Sequence, residues 1–92
     1  MLFVAYCLDK PGALTIRMAN RPDHVEYLAA HNDKLVYAGP LLDHDENMMG
    51  SLLVLDVASR TEMDNFLRDD PYAKAGLFQS VSVHGTKKAF PK

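Results

Sequence analysis

Apolar residues fall along this chain in two kinds of pattern, and their order predicts an architecture. Residues 2–8, LFVAYCL, form a β-rich hydrophobic run that Asp9-Lys10-Pro11-Gly12 ends in a turn. From Ala13 to about His31, the positions Leu14, Met18, Val25 and Leu28 recur at helical spacing, giving an apolar stripe on one face of a helix. Pro22 lacks a backbone donor, so this helix is expected to kink there or to restart with Pro22 in its first turn. Residues 34–42, KLVYAGPLL, read as a second strand whose Gly39-Pro40 suits an edge, a bulge or a strand end. An acidic hairpin loop, DHDENMM, leads through Gly50 into SLLVLDV, a near-continuous apolar third strand. Ser59-Arg60-Thr61-Glu62 fits a capping box for a short helix with Met63, Phe66 and Leu67 turned inward, which Asp69-Asp70-Pro71 terminates. One helical turn within residues 73–77 precedes a fourth strand, 78–84, where Val81 and Val83 define one dry face.

The order β-α-β-β-α-β is that of an α+β, ferredoxin-like fold, with an antiparallel sheet carrying its helices on one face. The other face is then bare. Because the first and third strands are apolar on both sides, that face forms a patch larger than monomers usually expose, and two sheets are expected to pack face to face as a homodimer, with a higher oligomer also open. The basic tail Lys87-Lys88-Ala89-Phe90-Pro91-Lys92 suits either a frayed end or an arm on a neighbour.

At 92 residues, the chain is expected to be one domain spanning 1–92, short enough that a partner subunit would add needed buried surface. The single Cys7 cannot close an internal bridge, and no CxxC pattern suggests structural zinc, so a reducing, cytoplasmic location is expected. A net charge of −2 leaves no footprint for nucleic acid, and no apolar run is long enough for a membrane span. The start MLFVAYC lacks the basic region of a signal peptide. His31 and the cluster Asp43-His44-Asp45-Glu46 match no metal-ligand spacing, and the five glycines make no phosphate-binding loop. No cofactor and no metal are therefore expected. Cys7, inside an apolar strand, reads as a small hydrophobe rather than a nucleophile.

If the first helix is continuous, Arg17, Arg21 and His24 stand at i, i+4 and i+7 on one flank. Two cations beside an imidazole could make an anion or phenolate pocket with His24 as base; a polar helix edge facing solvent has the same spacing. Asp70 is a carboxylate able to fix the imidazole tautomer, and equally a plain helix stop before proline. Gly50-Ser51 offers a hydroxyl beside a small residue, or an ordinary turn into a strand.

Taken together, Arg17, Arg21-Pro22, His24, Tyr27-Leu28, Ala38-Gly39-Pro40, Gly50-Ser51 and Asp69-Asp70-Pro71-Tyr72 with Ala75-Gly76-Leu77 resemble the YciI-like (YCII-related) family over nearly the whole chain. The resemblance implies a dimeric α/β barrel of ferredoxin-like subunits with a His–Asp pair in a cleft, roles that map onto His24 and Asp70. Arg17, Arg21, Ser51 and Tyr72 are the matching substrate-contact candidates. That family includes a chloro-hydroxyhydroquinone dehydrochlorinase, and the wider barrel group includes muconolactone isomerases. The resemblance thus implies a cofactor-free lyase acting on a small oxygenated ring, with an isomerase or a non-catalytic ligand-binding module as alternatives. One departure is His84-Gly85-Thr86, where many relatives carry tryptophan or proline after the last strand.

Overall fold

A computed structural model describes all residues, 1–92. Its elements are β1 (Leu2–Asp9), α1 (Leu14–Ala30), a 3-10 turn (Asn32–Lys34), β2 (Leu35–Leu42), β3 (Met48–Asp56), α2 (Arg60–Asp69), α3 (Pro71–Lys74) and β4 (Phe78–Thr86). The four strands form one antiparallel sheet in the order β2-β3-β1-β4, the ferredoxin-like arrangement, with β2 and β4 at the edges. No helix is long and apolar enough to cross a membrane.

Strand alternation divides the central strands cleanly. Phe3, Ala5 and Cys7 of β1 and Leu53 and Leu55 of β3 point into the layer shared with the helices, where Val57, Met63 and Phe66 complete the core. Burial pushes the Cys7 thiol up to about 12, with the negative charge of Asp70 adding to the effect, so it packs as an inert thiol. The opposite face carries Val4, Tyr6, Leu52 and Val54, which the register places side by side and which no helix of this chain covers.

The second helix starts as its sequence dictates: Ser59 Oγ accepts the Glu62 amide at 3.2 Å, and the Glu62 carboxylate accepts the Ala58 amide at 3.0 Å. Its inward side chains are Met63 and Phe66. The first helix departs from expectation in which residues it buries. It runs unbroken through Pro22, so no restart occurs there. Its buried residues are Arg17 and His24, whereas Leu14, Met18 and Val25 of the apolar stripe stay 40–49% exposed. Of that stripe, Leu28 alone packs against the core. The physical reason lies in partners: the face holding Arg17 and His24 meets Asp9 and Asp70, so its polar groups are satisfied where the rest of the helix would not be. Strand four also differs, since Val83 packs on the core while Val81, on a sheet edge, remains 44% exposed.

Gly50 lies inside β3 rather than in the loop before it. A Cβ there would stand 2.3 Å from the Cys7 carbonyl oxygen and 3.0 Å from Leu41 Cδ1, so backbone and side chain both close on this position. Gly50→Ala is expected to cost about 1–3 kcal/mol through forced displacement of the β1–β3 ladder. The loss should appear as a lower urea midpoint with an unchanged m-value.

Candidate active site

Helix α1 carries Arg17, Arg21 and His24 on one flank, and the chain is arranged to receive each differently. Arg17 is 2% exposed and points back to the end of β1, where Nε donates to Asp9 Oδ2 at 2.7 Å and Nη2 to Asp9 Oδ1 at 3.0 Å. The same Nη2 donates to Ser51 Oγ at 2.9 Å. Ser51 is opposite Cys7 in the β1–β3 register and therefore faces inward. Burial works against the charge on Arg17, but its bonds to Asp9 outweigh this and raise its pKa further. Arg17 is thus a fully committed cation.

Tyr72 connects this ion pair to the imidazole. The Arg17 guanidinium carbon lies 4.6 Å from the Tyr72 ring centroid, and the His24 ring stacks on Tyr72 at 3.9 Å with 16° between planes. Positions 17 and 24 are separated by about 10.5 Å of helix, and the phenol ring fills the gap between their side chains. Desolvation raises the Tyr72 pKa, against the opposing pull of Arg17 and Arg21, so its hydroxyl stays neutral.

Asp70 has a backbone duty and a side-chain duty at once. Its extended conformation, φ −62° and ψ 130°, is the one demanded before Pro71, and it ends α2 while beginning α3. Its Oδ1 accepts the Tyr72 amide at 2.9 Å, capping α3, and also meets His24 Nδ1 at 2.9 Å. A carboxylate can only accept, so Nδ1–H is the donor and Nε2 is the ring nitrogen left for the cleft. The carboxylate is entirely buried, and Oδ2 has no hydrogen-bond partner within the protein. Both bonds therefore hold the carboxylate through one oxygen.

A cleft of about 120 Å³ opens above these groups, lined by Arg17, Arg21, His24, Ser51 and Tyr72 on one side and by Gly39 and Pro40 of β2 on the other. All six site residues singled out by sequence meet here, five lining the cleft and Asp70 behind His24. Arg21 differs from Arg17: it is exposed, forms no ion pair, and presents an unspent cation at the mouth. The residue that sequence reasoning missed is Asp9, which looked like a turn residue before Pro11-Gly12. Only a chain already folded brings Arg17 back to it. His84, Gly85 and Thr86 lie in β4 and do not line the cleft. No group of three or more His, Cys, Asp or Glu side chains is placed to hold a metal ion. Asp43 instead closes its own hairpin, accepting the Asp45 and Asn47 amides at 2.9 Å. His31 Nδ1 is tied to the Tyr27 carbonyl at 2.9 Å, away from the cleft.

Removing Arg17 would leave the Asp9 carboxylate, 5% exposed, without its counter-charge. Arg17→Ala is expected to destabilise the fold by about 3–5 kcal/mol, and Arg17→Ala with Asp9→Ala to recover part of that loss. Equilibrium unfolding of the three variants beside the parent chain measures the coupling.

Comparison with known proteins places this geometry. A family model described as the YCII-related domain matches residues 1–87. Protein YciI of Escherichia coli is 34% identical over 98% of this chain and 100% of its own length. A protein of Haemophilus influenzae is 32% identical with the same coverage. Among solved structures, 5-chloro-2-hydroxyhydroquinone dehydrochlorinase from Burkholderia phenoliruptrix, in complex with 2,5-dihydroxybenzoquinone, superposes with a TM-score of 0.88 at 37% identity, covering 95% of this chain and 94% of that one. A Bacteroides antibiotic biosynthesis monooxygenase homologue, TM-score 0.61 at 10% identity, shares the fold alone. By family match and by relatives spanning its whole length, this chain belongs to the YCII-related family.

Proposed function

We propose that this protein is a cofactor-free lyase that removes hydrogen chloride from a chlorinated, polyhydroxylated ring, with His24 as general base held by Asp70. The observation that carries the reading is the His24 Nδ1–Asp70 Oδ1 bond of 2.9 Å beside a cleft of ring size. The tautomer it selects leaves Nε2 free to accept a hydroxyl proton. The similarity to a dehydrochlorinase of chloro-hydroxyhydroquinone supports the choice of substrate class.

The chemistry balances without an outside oxidant. His24 takes a proton from a ring hydroxyl and returns it to the chlorine-bearing carbon, giving a keto tautomer. Loss of a second hydroxyl proton then drives chloride out through the conjugated enol, leaving a hydroxyquinone. The net change is loss of HCl. Negative charge develops on the ring oxygens during this sequence, and Arg21 supplies the counter-charge that Arg17, spent on Asp9, does not.

Chloride release and quinone absorbance from a chlorinated hydroxyhydroquinone under anaerobic conditions test the reading. His24→Ala is expected to lower kcat/KM by about 10²–10⁴-fold. Asp70→Asn retains a capping side chain at α3 yet disturbs the tautomer, and its expected loss is roughly 10²-fold or more. Turnover of the parent chain no faster than the uncatalysed rate would reject the lyase, leaving the isomerase and the binding module.

The same reading includes a homodimer. Val4, Tyr6, Leu52 and Val54 form a contiguous apolar patch on the helix-free face of the sheet, and a second copy of that face is its natural complement. Sedimentation should give the mass of two chains for the parent and of one chain for Leu52→Lys.

A further inference from the structure

We propose that the cleft is only the polar half of the binding site, and that the substrate's ring carries an apolar substituent lying in the groove between α1 and β2. The inference rests on the reading of the cleft as a ring-binding site and extends it. Beside the cleft runs a second cavity of about 380 Å³. The two adjoin, since Val25, Leu28 and Ala38 line both. Beyond those shared residues the groove is lined by Ala29, Asn32, Leu35, Val36 and Tyr37, with no charged group.

The gradient along α1 explains this division. Arg21 and His24 face the cleft; Val25 lies one turn past Arg21, and Leu28 about 10 Å past it. A ligand aligned with the helix would therefore meet a cation and a base first, then aliphatic side chains. The cleft alone, about 120 Å³, accommodates a ring and little more, so a group attached on the Val25 side would extend over Val25, Leu28 and Ala38 toward the groove. Val25 and Val36 are 46% and 60% exposed, leaving apolar area for such a group to cover, whereas Tyr37, opposite Val54, turns its ring to the helix-free face.

Calorimetric titration with 2,5-dihydroxybenzoquinone and with its butyl-substituted derivative tests this on the intact protein. Turnover is not required. The butyl compound is expected to bind roughly tenfold more tightly, a modest return for four methylene-scale groups covered on one side. In Val36→Asp, which changes the groove and not the cleft, that advantage should vanish while affinity for the parent quinone holds. Equal affinity of the two quinones for the unaltered protein would overturn the groove proposal and leave the ring-site reading intact. Binding of neither quinone would overturn both. If Val36→Asp instead halves the sedimenting mass, a second copy occupies the groove and the proposal falls.

Discussion

Arg17 can be buried only because Asp9 is buried with it, and most of the site follows from that pairing. A guanidinium at 2% exposure has to meet its donors' demands inside the protein, and Asp9 at the end of β1 and Ser51 within the adjacent β3 take them. The helix is thereby held against the sheet by a polar contact at its N-terminal half. Tyr72 then has a fixed cation on which to rest, and His24 has a fixed aromatic plane on which to stack. The imidazole is immobilised by packing on one side and by Asp70 at its edge. A side chain whose orientation is settled before any ligand arrives loses little freedom on binding one.

Much of this was legible in the sequence, though unevenly. Element order and type emerged from hydrophobic spacing because the runs are long and the Pro-Gly and Asp-Pro breaks are abrupt. The pairing of Arg17, Arg21 and His24 on one flank emerged from helical geometry alone. What periodicity misjudged was which side of α1 is inside. An apolar stripe ordinarily marks the buried face, and here the most buried side chains are Arg17 and His24, beside Leu28 on the core, because their partners lie on β1 and before α3. Those partners are distant in sequence: Asp70 is 46 residues from His24 and Ser51 is 34 from Arg17. No local pattern encodes such contacts. The motif-level resemblance located the His–Asp pair because it summarises contacts that local physics cannot reach, and it said nothing of Asp9.

The two arginines illustrate how identical side chains acquire different work from their surroundings. Arg17 has its charge cancelled at 2.7 Å and acts as a strut; Arg21, four residues on, keeps its charge at the entrance. The fold fixes this division, since only position 17 is within reach of the β1 terminus. Shared fold with distant solved structures carries no such information about chemistry.

The double duty of Asp70 bears on how related sequences should be read. Its carboxylate holds the first turn of α3 whether or not any reaction occurs, so a capping side chain, acid or amide, serves the scaffold there by itself. His24 bonds no backbone group and closes no turn. In comparing members of this family, a change at position 24 therefore reports on the cleft, while a cap kept at position 70 reports on the scaffold alone.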